Sequence, residues 1–150
     1  MKELKLKYLA WIILLMYCIH LVEEYVFNLA GWMNNVLGAD LSTNEFIWIN
    51  AAGLTIFLIF AVLYSFGLGS EFVLWIFNTI FFVNGILHFI LGMGTLTYSP
   101  GVVTGILLFI PVGWYIYRRL KTELPDRLRF TGTIMGVMIL GLIAMISFNI

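Results

Sequence analysis

The chain has little of what a soluble domain of its size relies on. It holds one cysteine, Cys18, so an intrachain disulfide is excluded and the redox compartment stays open. Charge is scarce: only 11% of the 150 residues are Asp, Glu, Lys or Arg, and eight basic against eight acidic residues leave no net charge. Without a basic excess, a nucleic-acid partner is not expected. Alternating polar and apolar segments of the barrel type are absent as well. What fills the chain instead is apolar: 62% hydrophobic and 17% aromatic residues, with a mean hydropathy of +1.02. A soluble fold would expose too many of these side chains, so the composition points to an integral membrane protein.

Five hydrophobic runs follow from the punctuation of the sequence: residues 8–27, 46–66, 72–93, 102–117 and 130–148. Each is close to the ~20 residues that cross ~30 Å of hydrocarbon, the fourth being the shortest. Backbone polar groups in lipid must be satisfied within the segment, so the runs are expected to be helices. Ser42 with Glu45 reads as a capping box ahead of the second run, and Ser70 as a cap of the third. Ser99 followed by Pro100 reads as an N-cap with proline at the first helical position, and Pro111 is expected to kink the fourth run. The first run is too long for a signal-peptide core and no small-x-small site follows it, so it reads as a retained anchor.

The basic residues are Lys2, Lys5 and Lys7 before the first run, and Arg118, Arg119, Lys121, Arg127 and Arg129 between the fourth and fifth. Five crossings place both clusters on one side, which the positive-inside rule makes cytoplasmic. The expected fold is therefore all-α: one domain over residues 1–150, a bundle of five transmembrane helices with the N-terminus cytoplasmic and the C-terminus extracytoplasmic. The expected location is a plasma membrane of the bacterial type. The tryptophans (Trp11, Trp32, Trp48, Trp75 and Trp114) read mainly as interface anchors and lipid contacts. Gly101-x-x-x-Gly105 and Gly132-x-x-x-Gly136 permit close helix contacts; they are compatible with a homo-oligomer without establishing one.

Against this background His20, Glu23 and Glu24 stand out, three ionisable residues inside the first run. Each costs about +2.5 to +3.5 kcal/mol at the bilayer centre, so such groups face a protein interior or a water-filled cavity. At about 100° per residue, the two carboxylates flank the imidazole on either side, with Tyr17 and Asn28 extending that face. On the third run Asn84 and His88 lie one turn apart on a shared stripe. By rise per residue His20, Glu24, Asn50, Asn84, His88 and the loop before the fourth run all fall towards the outer side of the membrane. That is the depth coincidence a single site demands.

His20-Leu21-Val22-Glu23-Glu24, Asn84-Gly85-Ile86-Leu87-His88 and Tyr98-Ser99-Pro100-Gly101 resemble, in order, the His-x-x-Glu-Glu, Asn-x-x-x-His and Tyr-x-Pro-Gly elements of the HXXEE membrane domain family. The resemblance implies an integral membrane enzyme and brings no reaction or substrate with it.

Three chemistries suit these residues. In the first, His20, Glu23, Glu24 and His88 carry general acid–base catalysis, hydrolytic or isomerising, on a lipidic or amphiphilic small molecule, with Asn84 and Tyr98 orienting the substrate. In the second, His20 and His88, with Glu23 or Glu24 (Glu24 preferred), hold one divalent metal such as zinc and leave a position open for water. In the third there is no catalysis, and the cluster binds a ligand, a proton or a metal. Beside these stand the blander readings: His88 as a satisfied core histidine, Tyr98-Ser99-Pro100-Gly101 as a helix start, and the whole cluster as interhelical polar glue.

Overall fold

The computed structural model describes residues 5–148; Lys2, Asn149 and Ile150 lie outside the described residues. It is all-helical, with no strand among the described residues. Four helices are long and apolar enough to cross a membrane: α1 (Leu6–Val26), α3 (Thr43–Ser65), α4 (Glu71–Thr95) and α7 (Asp126–Ser147). They match the first, second, third and fifth hydrophobic runs and point to a multi-pass membrane protein.

The starts of α3 and α4 follow the local chemistry of the sequence. Ser42 accepts from the Glu45 amide at 3.2 Å while the Glu45 carboxylate takes the Ser42 amide at 2.8 Å, a reciprocal capping box. Ser70 accepts from the Val73 amide and caps α4.

The fourth hydrophobic run is built in three consecutive pieces: α5 (Val102–Thr104), a π-helical segment (Gly105–Phe109) and α6 (Ile110–Leu120). Pro111 sits in the first turn of α6, directly after the π segment. Its ring nitrogen cannot donate to the carbonyl one turn back, and the wider turn before it accommodates that missing bond. Where a kink is expected, the helix widens into a π segment.

The N-cap read at Ser99 is corrected by the structure. The residue preceding α5 is Gly101, in the left-handed region at φ +100°, and Ser99 turns its hydroxyl to His88 instead. Trp75 is also corrected: it is 8% exposed, with its indole N–H donating to Thr133 Oγ1 at 3.0 Å, so it is core rather than lipid anchor.

Between the first two runs the chain forms a short amphipathic cap, α2 (Leu29–Trp32), continued by a π-helical turn (Met33–Leu37). Asn28 starts it at φ +54°, a left-handed conformation that Asn tolerates, and its side chain caps the Gly31 amide at 3.1 Å. Leu29 and Ala30 pack on Leu41 and Phe46. Asn34 exchanges two hydrogen bonds of 2.9 Å with the Leu41 backbone and so pins the loop that follows.

In the bundle α4 carries α7, α6 and the π segment before α6, whereas α3 packs along α1. Gly132 and Gly136 of α7 lie against Trp75 and Thr79 of α4, so that glycine pair is used inside the chain. Gly85 and Gly105 make a close backbone approach of α4 to the fourth run: a Cβ on Gly105 would lie 3.0 Å from the Gly85 Cα.

Candidate functional site

The structure brings His20 and Glu24 of α1 together with Asn84 and His88 of α4 at one end of a cavity of about 220 Å³. His20, Glu23, Glu24 and His88 are 1–8% exposed. The remaining wall is mostly apolar, from the α2 cap, α3, α4 and α7. Glu24 is the shared member: its Oε1 lies 3.1 Å from His20 Nε2 and 3.2 Å from His88 Nε2. The two imidazoles meet edge to face, centroids 5.1 Å apart.

Glu23, the neighbouring residue, points elsewhere. Its Oε1 accepts from Tyr98 OH at 2.5 Å and from the amides of Gly101 and Val103, each at 3.1 Å. Its Oε2 accepts from the Thr104 amide at 2.8 Å and the Thr104 hydroxyl at 2.5 Å. These amides open α5, whose unpaired N–H groups are what a helix start leaves over. Glu23 is therefore the cap of a helix 78–81 residues away in sequence, the place where the sequence suggested Ser99. Tyr98 is not part of the cavity wall. Partial burial, then its bond to Glu23, pushes its pKa up to about 12, so the phenol stays a donor at neutral pH.

Thr104, absent from the candidates read in the sequence, decides how His20 is oriented. Its hydroxyl has one proton, which goes to Glu23 at 2.5 Å, the Gly101 carbonyl at 3.3 Å being the alternative acceptor. Either choice turns a lone pair toward His20 Nδ1, 2.7 Å away, so Nδ1 must carry the hydrogen and donate. A neutral His20 then presents the Nε2 lone pair to the cavity, with Asn84 Nδ2 at 3.1 Å. The chain carboxylate–hydroxyl–imidazole fixes a ring and its tautomer from behind, as outer partners do for working histidines. His88 is held alike, with Nδ1 at 3.1 Å from Ser99 Oγ. Gly101 closes the back wall: a Cβ there would sit 2.8 Å from Cε1 of both imidazoles.

The signal for Thr104 was available, since it is the one hydroxyl in the run Val102–Pro111, but nothing local tied it to residue 20. Tyr17 and Asn50 form a second polar station on the wall, the phenol donating to Asn50 Oδ1 at 3.0 Å.

The Thr104 arrangement has a direct check. In ¹⁵N-histidine spectra, wild type and Thr104→Ser should show His20 protonated at Nδ1, and Thr104→Val should lose that signature. Activity should fall roughly 10–100-fold in the valine variant alone, the range typical of lost outer partners. An unchanged spectrum in Thr104→Val would remove Thr104 from the site.

Three of these groups could also hold a metal ion: one ligand atom from each of His20, Glu24 and His88 lies within 4.8 Å of the others. A tetrahedron with bonds of 2.0–2.1 Å has edges of about 3.3 Å, close to the two measured separations of 3.1 and 3.2 Å. Both Nδ1 atoms have hydroxyl partners, which leaves each Nε2 for a ligand role.

Among known proteins, no curated sequence and no solved structure matches the chain. Residues 11–116 match a family described as proteins of unknown function with an HXXEE motif. That match runs from Trp11 in α1 to Ile116 in α6 and covers the whole of the polar cluster and both glycines of the α4 crossing. The motif itself is His20-Leu21-Val22-Glu23-Glu24, in which the first and last residues meet in the cavity and the fourth anchors the helix behind it. The chain belongs to the HXXEE family.

Proposed function

We propose that the protein is a membrane-embedded enzyme acting on a lipidic or amphiphilic small molecule by proton transfer at His20, Glu24 and His88. The observation that carries this reading is the carboxylate shared by two imidazoles at the polar end of an apolar cavity. Proton-transfer catalysis needs a base and an acid within hydrogen-bond reach of one reacting group. His20 Nε2, kept as a lone pair by Thr104, is suited to take a proton from water or from a carbon beside a carbonyl or double bond. Glu24 lies within hydrogen-bond distance of both imidazoles and can pass the proton between them, so His88 returns it. Hydrolysis or isomerisation follows from which proton is taken. Asn84 orients the substrate or the His20 ring, while Glu23 and Tyr98 act as positioning residues behind the site.

A metal-assisted version is favoured by one separate observation: two of the three separations among the ligand atoms, 3.1 and 3.2 Å, are close to a tetrahedral edge, and all three atoms lie within 4.8 Å of one another. His20, Glu24 and His88 would then hold a divalent ion such as zinc, which lowers the pKa of a bound water. The two versions divide on one measurement. Purified protein in lipid nanodiscs, given a neutral lipid extract, should release a product visible by mass spectrometry. Turnover that survives a strong chelator supports acid–base chemistry; turnover lost to the chelator and restored by zinc supports the metal. No product from any lipid class would overturn the enzyme reading in favour of a binding protein.

The reading also includes a topology. The pieces from Val102 to Leu120 follow one another without a break and make about 28 Å at 1.5 Å per residue, enough for a fifth crossing. With five crossings in a single domain, Lys5, Lys7 and the Arg118–Arg129 loop share the cytoplasmic side, and the site lies in the outer half of the membrane. A cysteine placed at Thr122 should therefore resist membrane-impermeant maleimide in intact cells and react after lysis. Labelling from outside would eliminate the five-span arrangement.

A further inference from the structure

All eight Lys and Arg residues lie at positions 2–7 and 118–129, and none of those among the described residues lines the cavity. At the polar end Glu24, the one acidic residue in the wall, has its Oε1 between the two imidazoles at 3.1 and 3.2 Å, and Asn84 Nδ2 lies 3.1 Å from His20 Nε2. Tyr17 donates to Asn50 Oδ1, Asn50 Nδ2 donates to the Phe46 carbonyl at 2.9 Å, and Ser147 gives its hydroxyl to the Ile143 carbonyl at 3.1 Å. A phosphate or carboxylate head would bring more acceptor oxygens against a carboxylate, in surroundings of low dielectric and with no Lys or Arg beside it. A head that donates hydrogen bonds meets the opposite situation.

The walls indicate how such a ligand enters. Phe46 and Ile49 of α3 and Ile143 and Ala144 of α7 all line the cavity. Yet α3 packs on α1 and α7 on α4, and the two share no extended interface among the described residues. Ala144 and Leu87 line the cavity and are themselves exposed, and the cavity is partly open rather than enclosed. The side between α3 and α7, which no extended helix contact closes, is the opening a membrane ligand would use. At about 220 Å³ the cavity is smaller than the usual 300–1,000 Å³ of pockets for drug-sized ligands, room for a head and part of one chain rather than two.

We propose that the site takes a single-chain amphiphile whose head donates hydrogen bonds without carrying negative charge, an alcohol or an amine. It enters from the lipid between α3 and α7, and phosphate and carboxylate heads are rejected. The proposal rests on the acid–base reading above, because a bound divalent ion would reverse the electrostatic preference.

The test uses the full chain in phosphatidylcholine nanodiscs with chelator present, and four probes of equal chain length: 1-dodecanol, dodecylamine, dodecanoate and dodecyl phosphate. Dodecanol and dodecylamine should raise the unfolding midpoint by about 2–4 °C, as a ligand bound only to the folded state does, and should appear as one-to-one adducts in native mass spectra. The two anions should do neither. Glu24→Gln, which removes the negative charge, should gain the dodecanoate shift. Ala144→Trp, which fills the opening and leaves the polar end intact, should lose the dodecanol shift while its own midpoint stays near wild type. Anions that bind wild type as well as dodecanol, or an unaltered dodecanol shift in Ala144→Trp, would overturn the proposal. Anion binding that appears only on adding zinc would overturn it in favour of the metal-assisted site. Lipid turnover is read separately, so a protein that turns over lipid and prefers anions loses this inference and keeps its enzymatic reading.

Discussion

Glu24→Gln and His20→Asn should each abolish turnover while leaving a folded, inserted protein. The amide of a glutamine at position 24 keeps the shape of the carboxyl group, and a single atom of it can take the place of Oε1 between the two imidazoles. It cannot accept or release a proton in the catalytic range, and it is a poor metal ligand. General acid–base catalysis contributes typically 10²–10⁴-fold, so a loss of about that size is expected in either variant. Stability should change by no more than about 1 kcal/mol, because hydrogen bonds between membrane helices average ~0.6 kcal/mol and most are kept. The opposite pattern, with stability falling in step with activity, would identify the cluster as structural glue. Full activity in both variants would end the proton-transfer and metal readings together.

Glu23→Ala should do the reverse, acting first on stability. Five donors converge on this carboxylate, three of them amides at the start of α5. Removing it loses the bonds and leaves those amides without partners inside the bundle. A loss on the order of 3–5 kcal/mol is expected from interhelical bonds of ~0.6–1.7 kcal/mol each plus the cost of unsatisfied donors. Equilibrium unfolding in mixed micelles measures it. Glu23→Gln should lose less, since one oxygen still accepts while its NH₂ group faces donors. Wild-type stability in Glu23→Ala would mean that the α5 start does not depend on the carboxylate. Adjacent acids would thus separate cleanly, one read out by rate and its neighbour by unfolding.

The sequence made some of this legible and concealed the rest, for physical reasons. Long apolar runs determine α1, α3, α4 and α7 because lipid leaves a backbone few alternatives to a helix. The capping box at Ser42 is local chemistry and was readable as such. His20 with Glu24, and Asn84 with His88, share faces through helical spacing alone, which made their convergence foreseeable. The roles of Glu23 and Ser99 were not readable, since both are settled by partners in other elements. Position 23 finds its donors near residue 100, and Ser99 is drawn away from the helix start by His88. Trp75 looked like an anchor because periodicity cannot tell a lipid-facing stripe from one that faces α7. The α2 cap is too short and too mixed in character to register as a hydrophobic run.

The glycine crossing of α4 and the π segment has a consequence for the ring it never touches. Gly85 directly follows Asn84, and Gly105 directly follows Thr104. Asn84 and Thr104 are the residues that grip opposite nitrogens of His20. The two grips are therefore not independent: both hang from one point where backbones touch. A methyl group on either glycine would wedge the two chains apart and slacken both tethers together. The seat of the imidazole behaves as a single hinge with one adjustable gap, and its aim is set by two residues that have no side chain at all.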